Sequence, residues 1–178
     1  MWTGIVSPRW AGRAVQAGRG TAGAVVAAVV LCGPVAGVCA AAPLPGPAGP
    51  AEADVAYHGQ VSLVAGQLGI RLVPENRGPA GLAAATVRLR VSAELADRQP
   101  QLPEGCARAG AQVVVCETGA LPARGSGRHI GVALKLAGRP AEVLVRIDTF
   151  WNGGAVDRVP GNNEHSVLAL DTGDAYAF

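Results

Sequence analysis

Along most of the chain after residue 53, apolar and polar residues alternate with a period of two. Leu68, Ile70 and Leu72 alternate with Gly69, Arg71 and Val73, and Val87, Leu89 and Val91 with Arg88, Arg90 and Ser92. Ile130, Val132, Leu134 and Leu136 alternate with Gly131, Ala133 and Lys135, and Val143, Val145 and Ile147 with Leu144, Arg146 and Asp148. Successive side chains on a strand point to opposite faces, so each run predicts a strand with one buried face. Residues 54–57 and 61–64, on either side of Gly59, predict two short opening strands. Residues 112–116 predict a buried strand, and 166–170 the last one. Asn76-Arg77-Gly78-Pro79 predicts a turn, because Gly supplies permissive backbone angles and Pro fixes the next one. Helical periodicity is limited to one turn at 80–85. Seven or eight short strands separated by turn signals predict an all-β, antiparallel β-sandwich. Arg residues at outward positions would guard its edges.

The first forty residues break this pattern. Arg9, Arg13 and Arg19 lie in a stretch that has no Asp or Glu before Glu52. An apolar run follows from Thr21 to about Val38, and small residues cluster at Cys39-Ala40-Ala41-Ala42. A basic flank, an apolar stretch and a small-residue exit make a secretory signal. Residues 1–40 are therefore expected to be a signal peptide cleaved after Ala40 or Ala41. The rival is a retained membrane anchor, since the run approaches the roughly 20 residues that span a bilayer. Gly33, Pro34 and Gly37 interrupt it near its exit. Cys39 fits lipidation poorly, with Val38 before it and Ala36 where a Leu belongs. Residues 41–52 are rich in Ala, Pro and Gly and predict an extended linker. The folded domain is expected over 53–172, with 173–178 as a C-terminal tail.

Charge narrows the partners. The formal net charge is +2, from fifteen Lys and Arg against thirteen Asp and Glu. Removing the three leader arginines leaves twelve basic against thirteen acidic, without a basic cluster. Nucleic acid is excluded on that ground, since binding it requires a basic face that displaces counterions from phosphates. A membrane is a partner only if the leader is retained. Cys32 and Cys39 lie in the leader, leaving Cys106 and Cys116 in the domain. An even pair in an exported chain reads as one disulfide, across a hairpin turning near 108–111. The alternative is two free buried thiols.

Catalytic and metal-binding patterns are sparse. His58, His129 and His165 are the three histidines, without metal-ligand spacing, so no metal or cofactor is expected. Arg124-Gly125-Ser126-Gly127 lacks the Gly-x-Ser-x-Gly of a nucleophile elbow and reads as a connecting loop, with anion binding by Arg124 and Arg128 as the alternative. Asp148 and Asp157 flank the loop 150–154, but the shortage of aromatics argues against a sugar cleft between them. Asp157, Asn162, Asn163 and Glu164 offer oxygens without the spacing of a calcium loop, so the paired Asn more simply ends a turn. Phe150, Trp151 and Asn152 form the candidate binding surface, Trp being a favoured interface anchor that also stacks on sugars. The competing reading is that one of these rings caps the sandwich core.

Several local features together resemble a known family. Ala53-Asp54-Val55 opens the domain, and Asn76-Arg77-Gly78-Pro79 is similar to an Asn-x-Gly-Pro turn. Leu102-Pro103-Glu104-Gly105-Cys106, Val115-Cys116 and Leu121-Pro122-Ala123-Arg124-Gly125 are similar to a Leu-Pro-x-Gly-Cys … Cys … Leu-x-x-Gly stretch, and Asn162-Asn163 to a paired Asn before the last strand. In this the segment from Ala53 to Leu170 resembles the bacterial extracellular repeat family labelled domain of unknown function eleven, and its relative, the cell-adhesion-related domain of bacteria. It departs from them in using Arg and Ala on exposed faces in place of Thr, and in having one copy.

The resemblance implies an immunoglobulin-like sandwich of about seven strands in a secreted or cell-surface protein, without catalysis. The expected function is an exported, non-enzymatic module that binds a protein or polysaccharide of the cell envelope. A carbohydrate-binding or wall-enzyme accessory module is the first alternative. A small secreted hydrolase, with a His and a carboxylate in reach of each other in a concave site, is the second.

Overall fold

The computed structural model describes residues 50–178. The expected signal peptide and nearly all of the linker, including Cys32 and Cys39, lie outside the described residues. Twelve β-segments follow in order: β1 (Glu52–Ala53), β2 (Val55–Val64), β3 (Gln67–Asn76), β4 (Thr86–Val91), β5 (Cys106–Gly110), β6 (Val113–Glu117), β7 (Gly125–Ser126), β8 (Ile130–Lys135), β9 (Glu142–Trp151), β10 (Val156–Asp157), β11 (His165–Leu170) and β12 (Ala175–Ala177). A 3-10 turn at Pro160–Asn163 precedes β11. The count exceeds the seven expected because β1, β7 and β10 are two-residue pairings and because β5 and β12 carry little periodic signal.

Two sheets face each other. One has the order β12-β2-β3, with β3 carrying both β7 and β8 on its far side; the other has the order β11-β9-β4-β6-β5. The inward rows are those the alternation selects: Leu68, Ile70, Leu72, Val132 and Leu134 from one sheet, Leu89, Val114, Val145, Ile147 and Ala169 from the other. The chain is thus a β-sandwich with an aliphatic core.

Gly59, expected to separate two strands, lies inside one ten-residue strand. A β-carbon there would sit 2.1 Å from the backbone oxygen of Arg71 and 2.8 Å from the Phe178 ring. The glycine therefore leaves room inside the sandwich for Phe178, which exchanges backbone hydrogen bonds of 3.1 and 3.0 Å with Gly59. The segment 173–178, expected to be a tail, is instead the edge strand β12. Ala175–Ala177 pairs with β2, and Tyr176 and Phe178 pack against the core. The linker also ends earlier than expected, since Glu52 and Ala53 already pair with Val156 and Asp157.

Pro74 accounts for the division between β7 and β8. It lies within β3 but lacks an N–H, so no strand can draw a donor from it. β8 pairs with β3 only over Gln67–Leu72, and β7 only at Glu75 and Asn76. Only the Pro74 carbonyl is used across the gap, accepting from the Gly127 N–H at 2.8 Å.

Tyr57 joins the two sheets. Its ring is fully buried, and its hydroxyl shares a 2.8 Å hydrogen bond with Thr149 Oγ1. Burial pushes its phenol from the ordinary 10.0 up to about 12, partly offset by the Thr149 hydrogen bond and reinforced by the negative charges of Asp148 and Asp157. A raised folded-state value means the neutral phenol is favoured by folding. The stability this contributes is complete below pH 10 and is lost as the pH climbs towards 12. We predict an alkaline decline of at most about 3 kcal/mol attributable to Tyr57. Urea midpoints of wild type and Tyr57→Phe across that range measure it. Parallel pH profiles for the two proteins would refute the assignment.

Candidate functional site

The expected disulfide is present. Cys106 and Cys116 are directly opposite across the β5–β6 pair, with 4.0 Å between α-carbons. The hairpin turns at Ala111-Gln112, slightly beyond the predicted 108–111. A disulfide belongs to an oxidising environment outside the cytoplasm. No helix among the described residues is long and apolar enough to cross a membrane.

Phe150 and Trp151 lie at the end of β9. The pairing of β4 with β9 shifts between Thr86 and Val87, so Thr86 is opposite Trp151 while Val87 is opposite Thr149. Phe150 is the extra residue of this bulge and keeps the outward side, as bulged residues do when they re-aim a side chain. It is 61 % exposed and Trp151 is 50 % exposed. Neither ring caps the core. The Arg88 guanidinium lies 5.5 Å from the centre of the Phe150 ring, a cation–π contact.

Asn152 has a different role from its two neighbours. Its amide donates to Ala155 O at 2.7 Å, and its side-chain oxygen accepts from Gly154 N at 3.2 Å. Both ends of the side chain are spent on the loop, where Gly153 and Gly154 take positive φ angles of 73° and 78°. Phe150 and Trp151 thus form the open surface, on a loop held from beneath by Asn152. Pro160 and Glu164 stand across a shallow depression from them.

A second depression, lined in common with the first by Thr149 and Glu164, lies on the outer face of β9 and β4 beside Arg146, Arg90 and Arg88. Asp148 is clamped there by Arg88 Nε at 2.8 Å and by Arg90 Nη2. Its partner in the glycosidase reading, Asp157, accepts from Val159 N at 2.9 Å, Asn163 Nδ2 at 3.0 Å and Val55 N at 3.2 Å. Both carboxylates are committed to structural contacts, as are the paired asparagines. Asn162 Nδ2 donates to Asp54 Oδ1 at 2.6 Å, so the Asn pair fastens the approach to β11 onto the start of β2.

The histidines are dispersed. His129 is exposed in the loop before β8. His165 faces inward from β11 against Phe178, with ring centres 5.1 Å apart. His58 lies on the outer face of β2, where its Nε2 accepts from Arg77 Nη2 at 2.7 Å and stands 3.4 Å from Glu75 Oε2. Among the described residues no cluster of His, Cys, Asp and Glu is arranged to hold a metal ion. Arg128 bridges backbone, donating to Glu104 O and Glu117 O at 2.9 Å each, and so anchors the connecting loop to the cysteine hairpin.

Fold and surface together define a disulfide-stapled β-sandwich with an outward aromatic pair. No family model matches the chain, and no curated protein or solved structure matches it either.

Proposed function

We propose that this chain is an exported, non-enzymatic binding module of the cell envelope, of the immunoglobulin-like kind, that takes a protein partner through Phe150 and Trp151. One observation carries the reading. The domain has five aromatic side chains other than histidine. Tyr57, Tyr176 and Phe178 belong to or pack against the core, while the remaining two are adjacent, exposed and at one end of the sandwich. Trp is enriched among interface anchors, and two adjacent exposed aromatic rings form a patch where single exposed apolar residues would not. The strand order, β2-β3-β8 facing β11-β9-β4-β6, supports the immunoglobulin-like assignment, and the disulfide supports export. A sugar-binding module is the second reading, favoured by the two neighbouring depressions, one beside the aromatic pair and one beside Arg146, that share Thr149 and Glu164.

The test has two parts. Intact mass from culture supernatant and envelope fractions, with and without reduction, reads export and cleavage; a full-length species confined to the cytosol would end the reading. Binding of the purified domain to isolated envelopes then separates the partners. Phe150→Ala/Trp151→Ala is expected to change stability by less than about 1 kcal/mol, because both rings are exposed. The same variant is expected to lower envelope binding about tenfold or more. Protease treatment of the envelopes should abolish binding; binding that survives protease and is lost after glycan digestion transfers the surface to a polysaccharide.

A further inference from the structure

A second surface lies on the opposite margin of the sandwich, along the free side of β8. In an antiparallel strand the N–H and C=O of one residue point to the same side, and the side alternates along the chain. Leu136 N donates towards β3, to Gly66 O at 2.9 Å, so Leu134 and Val132 also face β3. Lys135, Ala133 and Gly131 therefore turn their backbone groups away from the sheet. From Lys135 onward the margin is occupied: the Lys135 carbonyl accepts from Ala96 N at 2.9 Å and from the Gln99 amide at 2.7 Å, its N–H donates to the Gln99 side-chain oxygen at 2.9 Å, and Ala137 N donates to Glu94 O at 2.8 Å. The segment Glu94–Ala96, extended by the Gln99 amide, thus already takes the place of a neighbouring strand at that end of β8. Gly131 and Ala133 have no such cover among the described residues, and both are exposed.

The other margins are managed. β5 is short and bulged between Arg108 and Gly110, and Arg108 folds back onto Leu95 O and Ala96 O. β11 lies against β2 and β12 of the facing sheet, which closes that side. The first half of the unbulged strand β8, from Ile130 to Ala133, combines small outward side chains with open backbone groups. A β-carbon added at Gly131 would meet nothing within 4 Å. Such a margin is a template for strand addition.

Charge selects the occupant. Arg71 is directly opposite Gly131, and Lys135 ends the strand; Arg128 and His129 precede it. None of these takes part in the ion pairs among the described residues. Residues 128–135 contain no acidic side chain, so a second copy of β8 would bring like charge against like charge; Glu94 and Asp97 lie only on the segment that covers the far end. We propose that the free margin of β8 binds an extended acidic peptide segment of a partner protein, which adds to the sheet as a further strand. Main-chain hydrogen bonds to Gly131 and Ala133 hold it, and Arg71 and Lys135 read its outward carboxylates. This surface is independent of Phe150 and Trp151, and their failure would leave it standing.

The probe is a ten-residue peptide of alternating Glu and Val, compared with its Lys-Val counterpart, added to the oxidised domain. Amide hydrogen exchange at Gly131 and Ala133 is the readout, since those N–H groups are the ones the added strand would cover. The Glu-Val peptide should slow both by about tenfold or more, and the Lys-Val peptide should not. Ala133→Pro removes an outward N–H and no ladder bond, so it should abolish the protection in a folded protein. If Ala133→Pro fails to fold, Arg71→Glu/Lys135→Glu decides, and it should exchange the preference to the Lys-Val peptide. No protection at millimolar Glu-Val peptide, or equal protection by both peptides, overturns the proposal. Concentration-dependent protection of the same amides without peptide would assign the margin to a second copy and overturn it equally.

Discussion

Replacing Asn76 by Ala is expected to lower the stability of the domain by about 3–4 kcal/mol. Asn76 is 1 % exposed. Its side-chain oxygen accepts from Gly78 N at 3.0 Å and from Asp54 N at 3.2 Å, and its amide donates to Ala80 O at 2.7 Å. Truncation therefore leaves three backbone groups without their partner at a place water reaches poorly. Each such group costs about 1–3 kcal/mol, with partial relaxation reducing the sum. The adjoining Gly78 cannot move to compensate, because even a β-carbon there would lie 2.5 Å from the α-carbon of Ala53. Urea denaturation of the oxidised domain measures the effect. A loss below about 1 kcal/mol would mean the turn holds its shape without the side chain.

Removing the disulfide, as Cys106→Ala/Cys116→Ala, is expected to cost about 3 kcal/mol in the chain-entropy account, given the sequence separation of 10. The loss should be local in its first consequence. No residue of β5 is fully buried, and Cys106 is the one that packs against the core. Without the bridge, β5 keeps its bulged backbone pairing and the exposed Arg108 hydrogen bonds to Leu95 O and Ala96 O, all on an outer strand. Its amides should exchange at rates near those of loops, while β6, with Val114 and Cys116 fully buried, stays protected. Equal protection of β5 and β6 in the variant would show that pairing alone holds the margin.

These two residue sets differ in how far the sequence revealed them. Asn76-Arg77-Gly78-Pro79 was legible as a turn because Asn, Gly and Pro each have a local backbone preference. That the Asn side chain reaches back to Asp54 was not, since the contact spans 22 residues. The cysteine pair was legible from parity and spacing. The weakness of β5 was not, because Cys-Ala-Arg-Ala-Gly has no apolar alternation and is held by its neighbours.

Gly59 and the last strand show the same limit from another side. A glycine between two apolar runs reads locally as a break, yet its use is to admit a ring from residue 178. The outward turn of Trp151 was equally hidden: strict alternation from Ile147 would send Thr149 and Trp151 inward, and the bulge in the pairing of β9 with β4 turns Trp151 out instead. Phe150 and Trp151 could be named as candidates from rarity alone, but burial or exposure belongs to the register. Asn152, named beside them, is held within its own loop.

The sequence by itself determined the class of structure. A two-residue period of Val, Leu and Ile can bury its apolar face only by packing sheet on sheet, and the turn residues limit how long each strand runs. The bridging of Cys106 and Cys116 follows from the same local order. Only the tertiary structure decided which edges stay open, where the carboxylates are spent and which aromatics face outward. Those depend on pairings between residues far apart in the chain, and a one-residue change of register would reverse them.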